Sequence, residues 1–262
     1  MTKSVLVATP TLGLDPDPDK WLATLMRIQN NIRQHGFSQA FLAPYRTTWW
    51  PANNEIWNTA IQYDFDYILR LDDDVWACPD DAFSKLLAAD KDVIGALYPM
   101  RQFPYSMCAM KRTENVSMIE IAQKNLQCMT EISGNGVIPV DLVGFGMTLI
   151  KVAPFKALGL PMYEGDQVCP DDTYFAQKCL DHGIQQYVHA DVKLAHREIT
   201  PANRFYMFNA TARLLMQGGI VPRETRQFKE LAELFGEDGK KDPTILKAIG
   251  VKNDNADTDI RQ

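Results

Sequence analysis

The amino-acid sequence predicts an α/β fold with a mostly parallel sheet, helices on both faces and a small antiparallel addition. Over residues 1–100, short apolar segments alternate with segments of helical periodicity, which is typical of such a sheet. Three aspartates directly follow one of the apolar segments. Residues 104–132 have another pattern, in which short β-like segments are separated by polar turns. This change predicts the antiparallel addition.

The first hundred residues supply the elements of the sheet in order. KSVLVATP predicts a buried first strand and QAFLAP a second. The helix between them is indicated by Trp21, Leu25, Ile28 and Ile32, and Gly36 follows as its stop. A second helix is marked by apolar residues at helical spacing, namely Ile56, Trp57, Ala60 and Ile61. YILRL and DVIGALY predict the next two strands, with a helix between them.

The remaining elements are shorter. PYSMCAM, NVSMIEI and NLQCMTEI are predicted to be strands, and SGNGVIPVDLVGFGMTLIKV to be two strands around a Gly-Phe-Gly turn. APFKALG predicts a short helix, and the next helix ends near His182 and Gly183. QQYVHADVKLAH supplies the last strand. Residues 200–250 are predicted to be helical, and residues 251–262, which are almost without apolar side chains, to be disordered.

Composition excludes several classes of protein. The 262 residues are 46% hydrophobic, which is enough for one sizeable core. The net charge of −6 is atypical of a dedicated nucleic-acid-binding protein, and no apolar segment approaches the roughly 20 residues of a membrane helix. The N-terminus lacks the features of a secretory signal, and the five cysteines contain no C-x-x-C pair. We therefore expect reduced thiols and a cytoplasmic protein.

The segment YILRLDDDVW carries the clearest chemical pattern. Asp72, Asp73 and Asp74 follow an apolar strand, and ligands of a parallel sheet bind beyond the carboxyl ends of its strands. Since extended residues two apart point the same way, Asp72 and Asp74 are expected to face one site and Asp73 to turn elsewhere. Two carboxylates facing one site need a cation, and Mg²⁺ or Mn²⁺ bridging to a diphosphate fits. The structural alternative is a polar turn with one acid capping the next helix.

The sequence Cys-Pro-Asp-Asp occurs twice, at 78–81 and 169–172, each time before a predicted helix. In both copies proline is expected at the first helical position, and the two acids in the first turn. There they would satisfy free N–H groups and interact with the helix dipole, worth about 0.3–1 kcal/mol each. This explanation involves no catalysis, and we assign it to Asp80 and Asp81. The second copy follows a glycine-containing loop.

Taken in order, several segments resemble nucleotide-sugar glycosyltransferases of the GT-A fold, in particular family 2 and its relatives. They span residues 4–197 and are VLVATPT, YILRLDDDV, VDLVGFGMTLIKVAPF, CPDDTYFAQKCLDHG and VHADVKLAH. The Asp-x-Asp pair is a weak motif alone, whereas the ordered set is more specific. The resemblance implies a catalytic domain over 1–199, with a nucleotide-binding half at 1–100 and an acceptor half at 101–199, followed by the helical extension.

The resemblance also implies a donor and a metal site. Thr9, Pro10 and Thr11 would line the nucleoside pocket, and Asp72 and Asp73 would belong to the donor site. Asp74 and His196 would hold the metal. An imidazole ligand favours Mn²⁺ over Mg²⁺. His189 is the competing histidine, and His196 is preferred because it follows the strand. The donor would be a nucleotide-diphosphate sugar, such as a UDP-sugar.

The second Cys-Pro-Asp-Asp copy occupies the place of the family's catalytic acid pair. Asp172 would be the base that takes the proton from the acceptor hydroxyl, in a reaction that inverts the anomeric centre, with Asp171 as supporting acid. A carboxylate at a helix start is expected to be more acidic than usual, so Asp172 would act as a positioned weak base. Gly144, Phe145 and Gly146 are assigned to acceptor binding, although a tight turn explains these glycines equally well.

One family feature is missing. Relatives often carry Ala-Arg-Asn before the Asp-x-Asp strand, with the arginine near the diphosphate. This chain has Ala52, Asn53 and Asn54 there, so Arg46 and Arg101 are the candidates to replace that contact.

The sequence does not identify the acceptor, which would be a glycan or a small molecule, or alternatively a phosphate-bearing acceptor such as a hydroxylated or hydroxymethylated base in DNA. Residues 197–229 contain six basic and two acidic residues, a local charge of +4. A basic face there would suit nucleic acid, and a solvated helical face is the ordinary explanation.

Three other functions remain open at this stage. A phosphohydrolase would use Asp72 as nucleophile, but Trp76 stands where Thr or Val belongs. A nucleotidyltransferase would need a glycine-rich basic loop after the first strand, and TPTLGLDPDPDK is acidic. A non-catalytic binder would take up the sugar nucleotide with metal without transfer or hydrolysis.

Overall fold

The computed structural model describes residues 2–11, 18–44, 49–100, 106–124, 126, 128–132, 134–159, 162–163 and 169–197. The chain divides into two units, Met1–Glu198 and Ile199–Gln262, and every described residue belongs to the first. The predicted helical extension at 200–250, the predicted disordered tail at 251–262 and all of the basic segment beyond Arg197 lie outside the described residues, as do Arg46 and Arg101.

Twelve strands and six helices occur among the described residues. In chain order they are β1 (Ser4–Ala8), α1 (Pro18–Gln34), β2 (Ser38–Leu42), α2 (Trp49–Gln62), β3 (Tyr67–Leu71), β4 (Val75–Trp76), α3 (Ala82–Ala88), β5 (Val93–Leu97), β6 (Ala109–Arg112), α4 (Met118–Lys124), β7 (Met129–Glu131), β8 (Val137–Val140), β9 (Leu142–Val143), β10 (Met147–Lys151), α5 (Ala153–Lys156), α6 (Asp171–Asp181), β11 (Gln186–Lys193) and β12 (Ala195–His196). In the part of the chain that the structure describes, no helix is long and apolar enough to cross a membrane.

The central sheet has seven strands in the order β2-β1-β3-β10-β5-β11-β8. β1 pairs in parallel with both β2 and β3, and β5 pairs in parallel with β11. β10 lies antiparallel between β3 and β5, and β8 is antiparallel to β11 at the edge. A separate antiparallel sheet, β7-β6-β9, lies outside the central one. The predicted α/β class, which the resemblance to the GT-A fold also implied, is therefore confirmed.

Two apolar clusters lie on opposite faces of the sheet, because successive strand residues point to opposite sides. On one face, Val5, Val7 and Leu69 of the strands pack with residues of α1 and α3, such as Ile28 and Phe83. The other cluster joins the opposite strand residues, Leu6, Ala8 and Ile68, to α2, α5 and α6 through Trp57, Phe155 and Phe175. The predicted helices on both faces are thus present.

The prediction of a strand for NVSMIEI is wrong, because Met118–Lys124 is helix α4. Ser117 begins this helix, and its side-chain oxygen accepts a hydrogen bond from the backbone N–H of Glu120 at 3.0 Å. Ser-x-x-Glu before an apolar pair is a capping-box pattern, so the sequence contained the evidence for a helix. Met118 and Ile121, three residues apart, share the buried face.

The helix starts at the two Cys-Pro-Asp-Asp copies differ from the prediction. Pro170 is the N-cap of α6 and not its first helical residue, so Asp171 and Asp172 open the helix. α3 begins only at Ala82, with Asp81 as N-cap and no side-chain capping hydrogen bond. The two acids of the first copy therefore precede the helix and do not fill its first turn.

The predicted site residues gather at one end of the sheet. Thr9 follows β1, Asp72 follows β3 and Tyr98 follows β5, so all three lie at the carboxyl ends of parallel strands. β10 runs the other way, and its first residue, Met147, pairs with Leu71 at the end of β3. This end of the sheet is where α/β proteins bind ligands.

Candidate active site

The three aspartates lie in a turn and not in an extended segment. β3 ends at Leu71, and the turn through Asp72, Asp73 and Asp74 leads into β4. The alternation assumed in the sequence analysis therefore does not set their directions. Each carboxylate has its own neighbour: Arg70 for Asp72, the Thr11 hydroxyl for Asp73, and His196 for Asp74.

Asp74 and His196 form a buried pair at the junction of β4 and β12. His196 Nε2 is 3.4 Å from Asp74 Oδ1, and the two side chains are 8% and 2% exposed. His196 pairs with Val75 in the two-stranded sheet, and the Arg197 N–H donates to the Asp74 carbonyl at 2.9 Å. The backbone on both sides therefore holds these side chains together.

The environment of His196 fixes which ring nitrogen faces the carboxylate. Nδ1 is 2.7 Å from the Pro99 carbonyl, which can only accept, so in the neutral ring Nδ1 carries the proton. Nε2 then directs its lone pair toward Asp74. The ring of Tyr98 meets the imidazole edge-on at 5.2 Å and fixes its plane.

This donor set fits a divalent cation. A lone pair and a carboxylate oxygen 3.4 Å apart repel each other unless a cation or a proton lies between them. The carbonyl of Pro99 supplies the outer hydrogen bond that metal-bound histidines usually make. Among the described residues, no group of three or more His, Cys, Asp or Glu side chains could hold a metal. A cation held by Asp74 and His196 would therefore need further ligands besides these two side chains.

The predicted nucleoside turn lies between β1 and the end of β2. Thr9 is buried and donates its N–H to the Leu42 carbonyl at 2.9 Å. Pro10 and Thr11 are half-buried, and the Thr11 hydroxyl bonds the carboxylate of Asp73. The turn and the acid triplet are thus directly connected.

A buried arginine, which the sequence analysis did not identify, lies at the centre of the acids. The side chain of Arg70 is 4% exposed, and its Nη1 donates to the side-chain oxygen of Asn53. Its Nη2 is 3.4 Å from Asp72 Oδ1 and 3.8 Å from Asp171 Oδ2. The guanidinium also stacks on Phe145, 4.5 Å from the ring centre. Arg70 of β3 therefore contacts both α2, through Asn53, and α6, through Asp171.

The two acids at the start of α6 have different surroundings. Asp171 Oδ2 accepts a hydrogen bond of 2.8 Å from Nδ2 of Asn53, in addition to its contact with Arg70. Asp172 accepts hydrogen bonds from the N–H and hydroxyl of Thr173, at 2.7 and 3.3 Å. No Lys, Arg or His of the described residues forms an ion pair with Asp172.

Burial raises the pKa of Asp172 to about 7, and the negative charges of Asp171 and Asp72 act in the same direction. The hydrogen bonds from Thr173 oppose the rise without cancelling it. The expectation that the helix start makes Asp172 more acidic is therefore wrong, because desolvation and like charge outweigh the helix dipole here. A carboxyl group with this pKa can accept a proton near neutral pH.

The Gly-Phe-Gly turn is shaped by Tyr98. A Cβ on Gly144 would lie 2.2 Å from the Tyr98 hydroxyl, and one on Gly146 would lie 2.6 Å from its ring. The Gly146 N–H donates to that hydroxyl at 2.8 Å. Phe145 is buried against Arg70 and Phe175. Close packing accounts for both glycines, and acceptor binding by this turn stays a prediction.

Arg70, Asn53 and Tyr98 were missed for identifiable reasons. Arg70 is the one charge in the apolar segment YILRL, and a charged residue inside a fully buried strand needs a partner. Asn53 was noted only as a departure from the family pattern. Tyr98 follows β5 at the ligand-binding edge of the sheet, as the aspartates follow β3. His189, the competing histidine, lies within β11 opposite Ala96.

No protein-family model and no curated protein matches the chain. Solved structures similar to it include A197 from STIV, with 16% identity, a TM-score of 0.47 and coverage of 75% of this chain and 85% of that one. A Drosophila β1,4-galactosyltransferase 7 mutant, in complex with manganese, UDP-Gal and xylobiose, has 14% identity, a TM-score of 0.43 and coverage of 79% and 74%.

A mannosyltransferase from Pyrobaculum calidifontis, in complex with GDP-Man and Mn²⁺, has 13% identity, a TM-score of 0.44 and coverage of 90% of this chain and 70% of that one. Because all these identities and TM-scores are low, the functional assignment rests on the residues of this chain.

Proposed function

We propose that the protein is a metal-dependent glycosyltransferase that moves a sugar from a nucleotide-diphosphate sugar to an acceptor hydroxyl, with inversion. The observation that carries this proposal is the pair of acids at the start of α6. Asp171 contacts a buried arginine, whereas Asp172 has no cationic partner among the described residues, and its pKa is raised to about 7. A base for an acceptor hydroxyl needs this combination of position and proton affinity.

In the proposed reaction, Asp172 accepts the proton of the acceptor hydroxyl while the acceptor oxygen attacks the anomeric carbon. The bond between that carbon and the diphosphate oxygen breaks, and its electron pair leaves with the nucleoside diphosphate. Attack from the face opposite the leaving group inverts the anomeric centre. Asp172 later returns its proton to solvent.

Asp74 and His196 are proposed to hold the metal, Mn²⁺ or Mg²⁺. The pair is buried, and the Pro99 carbonyl directs the Nε2 lone pair of the imidazole to the side of Asp74. When bound, the cation would neutralise the charge that develops on the departing diphosphate.

The donor would lie against the first turn and the acid triplet. The hydrogen bond between Thr11 and Asp73, together with the position of Thr9 and Pro10 after β1, supports a donor site formed by these residues and Asp72. The turn at 144–146 is retained as the proposed acceptor contact. A DNA acceptor would depend on the basic segment 197–229, of which only Arg197 is described.

The proposal is tested with a panel of nucleotide-diphosphate sugars and Mn²⁺, assayed for release of nucleoside diphosphate and for a mass increase of glycan, small-molecule and hydroxymethylated-DNA acceptors. We expect one donor class to be turned over only with the metal. Asp74→Asn should abolish this turnover and weaken Mn²⁺ binding measured by calorimetry, whereas Asp80→Asn, at an exposed acid, should change neither.

Two results would contradict the proposal in different ways. Donor binding with Mn²⁺, but with neither transfer nor hydrolysis across the panel, would indicate a non-catalytic binder of sugar nucleotides. Unchanged metal binding in Asp74→Asn would reject the metal assignment even if the protein is a transferase.

A further inference from the structure

Arg70 is a permanent cation in the middle of a buried strand. β3 lies between β1 and β10, and Arg70 pairs with Ala8 on one side and Thr148 on the other. All five residues of the strand are buried. A guanidinium in such a place is retained only where its charge and its donors are used. Its low exposure also excludes it as an open contact for a donor diphosphate.

The bonds from Arg70 have a fixed polarity. A guanidinium only donates, so the side-chain oxygen of Asn53 must face Arg70. The amide nitrogen of Asn53 then faces Asp171 and donates to it at 2.8 Å. Asn53 is itself buried, and a flipped amide would turn its NH₂ group toward the guanidinium, donor against donor. The two successive hydrogen bonds, from Arg70 to Asn53 and from Asn53 to Asp171, therefore require the carboxylate oxygen of Asp171 to be a hydrogen-bond acceptor.

This chain of hydrogen bonds ends at Asp171. Asp172 is the next residue of the same helix, yet within the described part of the chain its hydrogen bonds come from Thr173. The two acids at the start of α6 therefore differ. Asp171 contacts the buried Arg70 and the amide of Asn53, whereas Asp172 is hydrogen-bonded to Thr173.

We propose that Arg70 is a positioning residue: through Asn53 it holds Asp171 as a fixed carboxylate, so that Asp172 alone exchanges a proton with the acceptor. This inference rests on the proposed function and deepens it. Arg70 touches neither donor nor acceptor in this role. It acts through Asp171, whose side chain it holds in place together with Asn53.

The charges around Asp172 determine the direction of the expected pH effect. Asp171 of α6 and Asp72 after β3 face it with negative charge. Burial raises the pKa of Tyr98 after β5, and the charge of Asp172 is a smaller contribution in the same direction. Arg70 is the cation within this group. Without its charge, the negative charges of Asp72 and Asp171 would be less compensated near Asp172, so the base would become ionised only at higher pH.

The test is the pH dependence of kcat/KM for nucleoside diphosphate release. In Arg70→Met, the acid limb should move up by about one pH unit, and kcat should fall with little change in the KM for the donor. Arg70→Lys keeps the charge and should return the acid limb close to that of the wild type. Arg27→Met is the matched control, because Arg27 makes the corresponding contact with Asp80 at 3.6 Å, and it should leave the profile unchanged.

A second variant covers the case in which Arg70→Met does not fold. Asn53→Asp can still pair with Arg70, but it presents a carboxylate to Asp171 in place of an N–H donor, and the acid limb should again move up. If Arg70 only stabilises the sheet, its replacement would lower the melting temperature without moving the acid limb of the pH profile. Coincident acid limbs in wild type, Arg70→Met and Asn53→Asp would therefore overturn the proposal.

Failure of the proposed function is distinguished by a measurement that needs no turnover. The carboxyl titration of Asp172, followed by carbon-13 NMR with Asp172→Asn for assignment, should have its midpoint at higher pH in folded Arg70→Met or Asn53→Asp than in wild type. An upward move in a protein that transfers no sugar would support the role of Arg70 in the acid pair and reject the transferase. An unmoved midpoint would reject the role of Arg70, whatever the activity.

Discussion

Cys-Pro-Asp-Asp occurs before α3 and again before α6, and the two copies agree in part. In each, the cysteine is buried and the first aspartate contacts an arginine. Asp80 is 3.6 Å from Arg27, and Asp171 is 3.8 Å from Arg70. The first pair is exposed, whereas Arg70 is 4% exposed. The same contact is therefore a surface ion pair in one copy and part of a buried network in the other.

The second aspartates differ more. Asp81 forms an ion pair of 3.0 Å with Lys85, four residues on, and its side chain is 57% exposed. The residue four positions after Asp172 is Ala176, which is completely buried. Residues four apart lie on the same helix face. The face that carries the second acid therefore points to solvent at α3 and toward the core at α6.

The rotation of each helix follows from its apolar pattern. The buried residues of α3 are Ala82, Phe83 and Leu86, whereas those of α6 are Thr173, Phe175, Ala176 and Cys179. The two identical four-residue sequences thus acquire different exposure and different partners, because the residues that follow decide which side of the helix is buried. A short motif at the start of a helix therefore has to be interpreted together with the apolar periodicity of the residues that follow it.

The largest difference between the two Cys-Pro-Asp-Asp copies is expected in their contribution to catalysis. Asp172→Asn removes the proposed base, and kcat should fall about 10²–10⁴-fold, the usual contribution of general base catalysis. Asp81→Asn is the same change at the matching position of the first copy, and it should leave kcat unchanged. Steady-state kinetics of nucleoside diphosphate release, with melting temperatures to verify folding, would measure both. Equal activity in the two variants would mean that the second copy, like the first, serves only to begin a helix.

A smaller difference is expected in stability. The pKa of Asp172 is raised from 3.8 to about 7, so between these values the folded protein keeps a proton that the unfolded chain has released. This group stabilises the fold at pH below the unfolded value, and its contribution is lost as pH rises through about 7.

Asp172→Asn should therefore be more stable than wild type at pH 8 by on the order of 4 kcal/mol, with the difference vanishing near pH 4. Urea unfolding with a chelator present, at several pH values, would measure it. A difference that is constant with pH would contradict the raised pKa.

The strands at the ligand end of the sheet were predictable because their evidence is local. β1, β2, β3 and β5 are short apolar runs with clear ends, and the position of Asp72 to Asp74 followed from the end of β3. The fold class was predictable for the same reason, and the order and pairing of the strands confirm it. Asp172 was located by the resemblance of the segment CPDDTYFAQKCLDHG to the family's acid pair. The helix α4 was missed although Ser117 and Glu120 indicate its start, because the apolar content of NVSMIEI was taken for a strand.

The electrostatics of the site could not be predicted in the same way. The proton affinity of Asp172 depends on its burial and on the charge of Asp72, about a hundred residues away in the chain, and the helix dipole, which is local, gave the wrong sign. Arg70 was passed over because its partners, Asn53 and Asp171, are 17 and about a hundred residues away. Local patterns therefore located the acids, whereas burial and long-range charge decide what each one does.

The smallest effect is expected at Lys85, which distinguishes the first copy from the second. Lys85→Met removes the partner of Asp81, and an exposed helix pair of this spacing contributes only about 0.3–0.5 kcal/mol. The free energy of unfolding should fall by no more than this, and the loss should shrink in high salt because exposed charges are screened. Activity should not change. A loss of activity in Lys85→Met would show that the first copy also contributes to the reaction, since Asp81 would then need its partner for more than the stability of α3.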